Sequence, residues 1–422
     1  MTAESGAPSA PAPGVMRVVR VSPHRSEGES IPLIMWTVVL ALLPAFAVGL
    51  YVFGWRAAYV TVLSAASCVG WEALIQKLRG VRVTVADGSA VVSGVLLAFV
   101  LPASVSWYVP VVGAFVAMGI AKQAFGGLGA NFFNPALVAR VFLQFAFPSQ
   151  VNMPEWPIVA PQVTGLARLA KSVAPGSPDA VTSATPLAVL KANPGAAWEA
   201  IPGSQPFGPP LAWLLPAGAA WAVFALLVAF AAAGIYLEAT RGKRLAAVAG
   251  VGALLLFGVV PTGDISFGLV PGCIGETSAW ALLLGGLALV YYRCINWRLP
   301  LAYIVTVAVL ASVLPTRAGD GSLVVGFSFE RTLVHVFGGG LFLGAFFMIT
   351  DMVTSPLTSK GQVAFGVIAG VMAALIRLYA GYPEGVCYSI LLANATRPLV
   401  DRLTMPTVFG SRRRAAPARP AG

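Results

Sequence analysis

The run PLIMWTVVLALLPAFAVGLYVF, residues 32–53, carries no charged side chain along its length. A helix of about 20 apolar residues crosses a bilayer core, so this run is long enough to span one. The basic cluster Arg17, Arg20 and Arg25 precedes it, and no cleavable signal peptide is evident. It reads as an uncleaved first transmembrane helix. Residues 1–14, rich in Ala, Pro, Ser and Gly, are expected to be disordered.

The rest of the chain repeats the pattern. Its 422 residues are 58% hydrophobic and 10% charged, and the mean hydropathy is +0.82. A soluble domain carries about 25% charged residues, so lipid must be the solvent for most of this chain. Further apolar runs lie at 57–76, 89–104, 108–124, 134–148, 211–237, 245–261, 277–292, 300–314, 333–350, 363–380 and 384–399. The expected fold is an all-α polytopic membrane protein with about 12 transmembrane segments. The runs 89–104, 134–148 and 384–399 are short for full spans. Short apolar segments bounded by Gly or Pro indicate broken or re-entrant helices, tolerated only where protein buries them.

The net charge is +11. The basic residues fall between apolar runs and nothing resembles a base-stacking module, which argues against nucleic-acid binding and for a topology signal. With the N-terminus cytoplasmic, the inner segments hold Lys77, Arg79 and Arg82, then Lys122, Arg241, Lys243 and Arg244, then Arg293, Arg298, Lys360 and the Arg-rich C-terminus. Both termini are then cytoplasmic and the segment 149–210 is external. The expected order is a cytoplasmic tail (1–30), a first membrane half (31–148), the external loop (149–210), an extra transmembrane hairpin (211–261), a second membrane half (262–402) and a basic cytoplasmic tail (403–422). FGGLGANFFNPALVARVF (125–142) and YAGYPEGVCYSILLANATRPLVDR (379–402) form a weak internal repeat. One would lie inside and the other outside, so the halves would be inverted, and such repeats place sites at the midplane between them.

The four cysteines, Cys68, Cys273, Cys294 and Cys387, form no C-x-x-C pair. Three fall in or beside apolar runs, as small buried hydrophobes do, and Cys273 falls in a loop. Their spacing argues against an internal iron–sulfur or zinc site, while a cysteine lent to a site shared with a partner stays open. His24 and His335 sit in no ligand pattern, so no metal is expected. Gly126–Gly129 and Gly338–Gly340 are not phosphate loops, since no G-x-x-x-x-G-K-[ST] occurs. Close helix packing is the expectation for both.

The external loop contains Asp179-Ala180-Val181-Thr182-Ser183-Ala184-Thr185-Pro186-Leu187. From the residues alone this is equally an ST-rich turn capping a short helix that starts at Pro186. DAVTSATPL also resembles the flavinylation motif of two related membrane proteins. These are the D subunit of the Rnf ferredoxin:NAD oxidoreductase and the B subunit of the sodium-pumping NADH:quinone oxidoreductase. The resemblance extends through SPHRSEGESIPLIMWTVVLALLPA (22–45), GGLGANFFNPALVARVF (126–142), GCIGETSAWALLLGGLALVY (272–291), GGGLFLGAFFMITDMVTSPLTSKGQVAFG (338–366) and RLYAGYPEGVCYSILLANATRPLVDR (377–402). It implies that Thr185 carries FMN as a phosphoester, attached by a flavin transferase outside the cytoplasmic membrane. Asp179, Thr182, Ser183 and Ala184 would form the recognition motif. Pro186 confines Thr185 to extended conformations that present its hydroxyl, and small Ser183 and Ala184 leave room for the transferase.

The resemblance further implies a second, non-covalent flavin (riboflavin in better-known members); Asn131, Asn134 and Asn394 offer polar groups at chain breaks that could contact it, and the sequence does not assign the residues of its site. It implies a bacterial inner-membrane location, partnership with the A, B, C, E and G subunits of an Rnf complex, and electron relay coupled to Na⁺ or H⁺ movement. Two departures stand out. The family usually has Asp-Pro-Val-Thr where this chain has Asp351-Met352-Val353-Thr354, and the hairpin 211–261 looks like an insertion. Among ionisable residues in apolar runs, Glu72, Arg140 and Arg377 read as snorkelling or capping groups, and Glu276 and Asp351 as candidates for an ion path. Two other readings remain at this level: the quinone-linked B subunit, and a secondary transporter or channel without redox chemistry.

Overall fold

The computed structural model describes residues 30–152, 272–276, 278–317, 323–324, 329–380 and 384–406. The flavinylation motif with Asp179, Thr182, Ser183, Ala184 and Thr185, the hairpin 211–261, and nearly all of both tails lie outside the described residues.

Ten of the expected spans fall within them, and each coincides with helix. The first half contains α1 (Ile31–Phe53), α2 (Trp55–Leu78), α3 (Ser89–Phe99), α4 (Tyr108–Phe115, continued by a π-helical segment Val116–Lys122), α5 (Pro135–Ala146) and the short α6 (Pro148–Val151). The second half contains α7 (Ala279–Tyr291), α8 (Arg298–Val313), α9 (Phe329–Phe337), α10 (Leu341–Leu343, continued by a π-helical segment Gly344–Met348), α11 (Ser359–Tyr379) and α12 (Val386–Thr404). Among the described residues, four helical stretches, Ile31–Phe53, Trp55–Leu78, Tyr108–Phe125 and Ser359–Tyr379, are long and apolar enough to cross a membrane, and α9 with α10 makes a fifth as a bent pair. Large apolar side chains such as Leu33, Leu40, Tyr51, Trp55 and Val62 are exposed along α1 and α2, as expected where lipid is the solvent.

The helix starts follow from local chemistry. Ser278 accepts a hydrogen bond from Ala281 N at 3.2 Å, and Thr358 accepts one from Gly361 N at 3.0 Å. Each satisfies a backbone donor that has no partner inside its helix. Small residues then let backbones meet. A methyl group on Gly94 of α3 would lie 2.5 Å from Ala65 Cα of α2, and one on Gly285 of α7 would lie 2.0 Å from the Ala41 carbonyl of α1. Similarly, α11 packs on α8 through Gly370 against Thr306. The two halves meet where α1 packs on α7 and α5 on α12.

Three expectations are corrected. The run 384–399 is no broken segment: α12 continues for 19 residues with Pro398 inside it. The break falls within 333–350, where α9 and α10 are bent by 55° across Gly338–Gly340. Gly126, Gly127 and Gly129 do not mediate helix packing; their φ angles of 121°, 99° and 93° make them turn residues. The all-α expectation also misses one small antiparallel pair, Thr316–Arg317 with Leu323–Val324.

Candidate functional site

A cleft opens at one end of the bundle, between the two halves, with about 770 Å³ of empty space when the open solvent at its mouth is counted. The starts of α1 and α3, the end of the π-helical segment after α4, the start of α5 and the turn after α10 surround it. Ile34, Val38, Leu96, Phe346 and Phe347 supply an apolar wall. Ser89, Ser93, Lys122, Asn131, Asn134, Thr350 and Asp351 supply polar groups. Each π-helical segment contributes to it, the first through Lys122 and the second through Phe346 and Phe347. Such segments insert a residue into the helical turn and turn side chains toward functional sites.

The polar wall is built from named hydrogen bonds. Lys122 Nζ donates to Ser89 Oγ at 2.6 Å and pairs with Glu72 Oε1 at 2.7 Å. Gln76 Nε2 and Gln123 Nε2 donate to the same oxygen at 3.3 and 3.0 Å. Glu72 Oε2 has no hydrogen-bond partner among the described residues. Ser89 in turn donates from N and Oγ to Asp87 Oδ1 at 2.8 and 2.7 Å, which fixes the start of α3. Asn134 caps α5 by accepting from Ala136 N at 3.0 Å, while its Nδ2 donates to the Met348 carbonyl at 3.1 Å and joins the two halves.

Asp351 sits in the turn after α10. Its Oδ1 accepts from Met352 N at 3.3 Å, and Met352 N also reaches the Thr350 carbonyl at 3.2 Å. The proline usual at this position in the resembling family has no N–H, so this turn is closed differently here. Burial pushes the Asp351 carboxyl up to about 6, against the opposing pull of the Val353 backbone, Lys122, Arg397 and Thr354.

The structure gathers some of the sequence candidates and separates others. Asp351, Asn131 and Asn134 line the cleft. Asn394 is buried on α12 away from it, its amide atoms without partners among the described residues. Glu276 also lies elsewhere, in a one-turn helix, where its Oε2 accepts from Cys273 N at 3.4 Å and its side chain abuts Gly340. Arg377 does not snorkel: it is 2% exposed and donates to the His335 and Gly338 carbonyls at the end of α9. Arg140 donates to the Val151 carbonyl. Glu72, named in the sequence among the ionisable candidates and explained there as snorkelling or capping, does neither. It is 1% exposed, on the face of α2 that carries Cys68 and Gln76, and it holds the cleft lysine. Its polar neighbour Gln76 one turn on was the available signal. Among the described residues no group of His, Cys, Asp and Glu is arranged to hold a metal ion.

The model of the NQR2, RnfD, RnfE family matches residues 18–410. The chain belongs to this family. The D subunit of the Na⁺-translocating ferredoxin:NAD⁺ oxidoreductase complex of Acetobacterium woodii is 39% identical over 393 residues, covering 93% of this chain and 95% of the relative. The D subunit of the proton-translocating ferredoxin:NAD⁺ oxidoreductase complex of Clostridium ljungdahlii is 38% identical over 392 residues, covering 93% and 96%. The D subunit of the ion-translocating oxidoreductase complex of Escherichia coli is 31% identical over 394 residues, covering 93% and 98%. The first two relatives are similarly distant from this chain and are named for different ions. Overall likeness within the family therefore does not select the coupling ion.

Proposed function

We propose that this family member is the flavin-carrying membrane component, the D subunit, of an Rnf-type ion-translocating ferredoxin:NAD⁺ oxidoreductase complex. The observation that carries the reading is DAVTSATPL at 179–187 in a chain that matches its Rnf relatives over 93% of its length. Thr185 takes FMN as a phosphoester, and Asp179, Thr182, Ser183 and Ala184 present it to the flavin transferase. Ferredoxin and NAD⁺ act on partners among the A, B, C, E and G subunits, because this sequence has neither a dinucleotide fingerprint nor a cysteine cluster. The quinone-linked B subunit is the less favoured reading, since two of the relatives above are named for ferredoxin and NAD⁺.

The chain lies in the bacterial inner membrane with both termini cytoplasmic, about 12 spans in two inverted halves, and the Thr185 loop external. The contacts of α1 with α7 and of α5 with α12 join matching helices of the two halves, in keeping with a repeat. In this orientation the cleft opens on the cytoplasmic side, opposite Thr185.

The cleft suits a second, non-covalent flavin. Phe346 and Phe347 offer aromatic faces, and Asn131, Asn134, Ser93 and Thr350 offer donors and acceptors. An apolar wall with a few placed polar groups is the usual make-up of a cofactor site. A bound flavin supplies one- and two-electron chemistry. The chain's own residues orient it, shield it from lipid and fix the charge beside it.

Intact-chain mass spectrometry with in-gel flavin fluorescence tests the covalent site, on wild type and Thr185→Ala co-expressed with a flavin transferase. An FMN-sized mass increase is expected in wild type and absent in the variant. No added mass on wild type, with the transferase active on a control substrate, refutes the assignment. Flavin released on denaturing Thr185→Ala protein reports the cleft.

A further inference from the structure

Lys122 is only 2% exposed, yet it forms part of the cleft wall. A charged ammonium at this depth is costly unless paired. Glu72 Oε1 at 2.7 Å and Ser89 Oγ at 2.6 Å hold it. Glu72 itself does not line the cleft; it stands behind Lys122 on α2. Its charge is gathered on one side: Oε1 receives Lys122, Gln76 and Gln123, while Oε2 has no partner among the described residues. The pair therefore has a direction, with its positive end at the cleft and its negative end in the body of the first half. The other charged groups nearby are Asp87, reached through Ser89, Asp351 across the cleft, and Arg79, which donates to the Gln123 carbonyl.

In a low-dielectric surrounding, the nearer of two opposite charges dominates the potential at a third point. We propose that the oriented Lys122–Glu72 pair sets the reduction potential of the flavin held in the cleft, Lys122 favouring the more negative reduced form and Glu72 moderating it. This rests on the reading that the cleft holds a flavin. Lys122 acts here as a positioning charge, and the electrons come from a redox partner in the complex. A side chain needed only for packing would not give shifts of opposite sign at the two members of the pair.

The test uses the full-length Thr185→Ala chain, purified in detergent, so that the cleft flavin is the only flavin titrated. Spectroelectrochemical titration is made of this chain with Lys122→Met, Lys122→Arg, Glu72→Gln and the Lys122→Met/Glu72→Gln double substitution. Lys122→Met is expected to lower the midpoint potential and Glu72→Gln to raise it. Each shift should be roughly tenfold in the equilibrium, about 59 mV for one electron. Lys122→Arg, which keeps the charge, should stay near the parent, and the double variant should fall between the two singles. Glu72→Gln and the neutral double variant keep the test decisive if Lys122→Met alone fails to fold. Bound flavin with no shift in either single variant, or with shifts of the same sign, overturns the role of the pair and leaves the cleft as a flavin site. A Thr185→Ala chain that retains no flavin overturns the reading of the cleft itself, and the proposal with it.

Discussion

Lys122 and Arg377 are both 2% exposed, yet their donors go to different kinds of partner. Arg377 donates to the backbone carbonyls of His335 and Gly338, where the 55° bend leaves the last turn of α9 without intrahelical donors. Lys122 engages two side chains, Ser89 and Glu72, beside an open cleft. A guanidinium committed to main-chain carbonyls holds the shape of a helix break. An ammonium held by side chains at a cavity wall sets the charge there. Burial alone does not separate a structural cation from a chemical one; the identity of the acceptor does.

The largest expected effect tests the structural half of this contrast. Arg377→Met should destabilise the protein by about 1–3 kcal/mol for each carbonyl left without a donor, read as a lower thermal unfolding midpoint in detergent. Arg377→Lys should recover only part of it, because an ammonium cannot reproduce the planar fork. A fully stable Arg377→Met chain would break the contrast.

A smaller effect is expected at the join between the halves. Asn134→Ala removes the cap of α5, a loss of about 1 kcal/mol, together with the bond to the Met348 carbonyl. The unfolding midpoint should fall modestly and flavin retention should weaken, since Asn134 lines the cleft. Retention equal to the parent would move the ligand away from this wall.

The smallest effect sharpens the chemical half. Asp351 is neutral below about 6 and carries a negative charge above it. Added negative charge opposite Lys122 disfavours flavin reduction, so the midpoint potential should drop by an extra step as pH rises through that value. Asp351→Asn should remove the step with little change in stability, as titrations from about one unit below to one unit above it would show. A step that survives in the variant would assign the titration to another group.

Much of the helical framework was legible in the sequence. Every expected span within the described residues is helical, because predominantly apolar runs have no other way to satisfy their backbone in lipid. The location of the breaks was less legible. Pro398 lies inside a continuous α12, whereas Gly338–Gly340 permit the bend in a run that looked unbroken. Of the polar residues singled out in the sequence without a site being assigned to them, Asp351, Asn131 and Asn134 line one cleft, whereas Glu276 and Asn394 fall elsewhere. Glu72 was taken for a snorkelling group because hydropathy averages along a helix and does not report which face it occupies.

The sequence by itself determined that lipid is the solvent and where the helices lie, because composition and hydropathy carry that information; for Thr185 it offered a resemblance of 179–187 to a flavinylation motif. Only the tertiary structure decided which polar groups share a cavity. Glu72 of α2, Ser89 of α3 and Lys122 beyond α4 meet because Gly94 lets α3 approach the backbone of α2. The physical reason is that a buried charge persists only where a partner from another helix neutralises it, and that pairing is a property of packing.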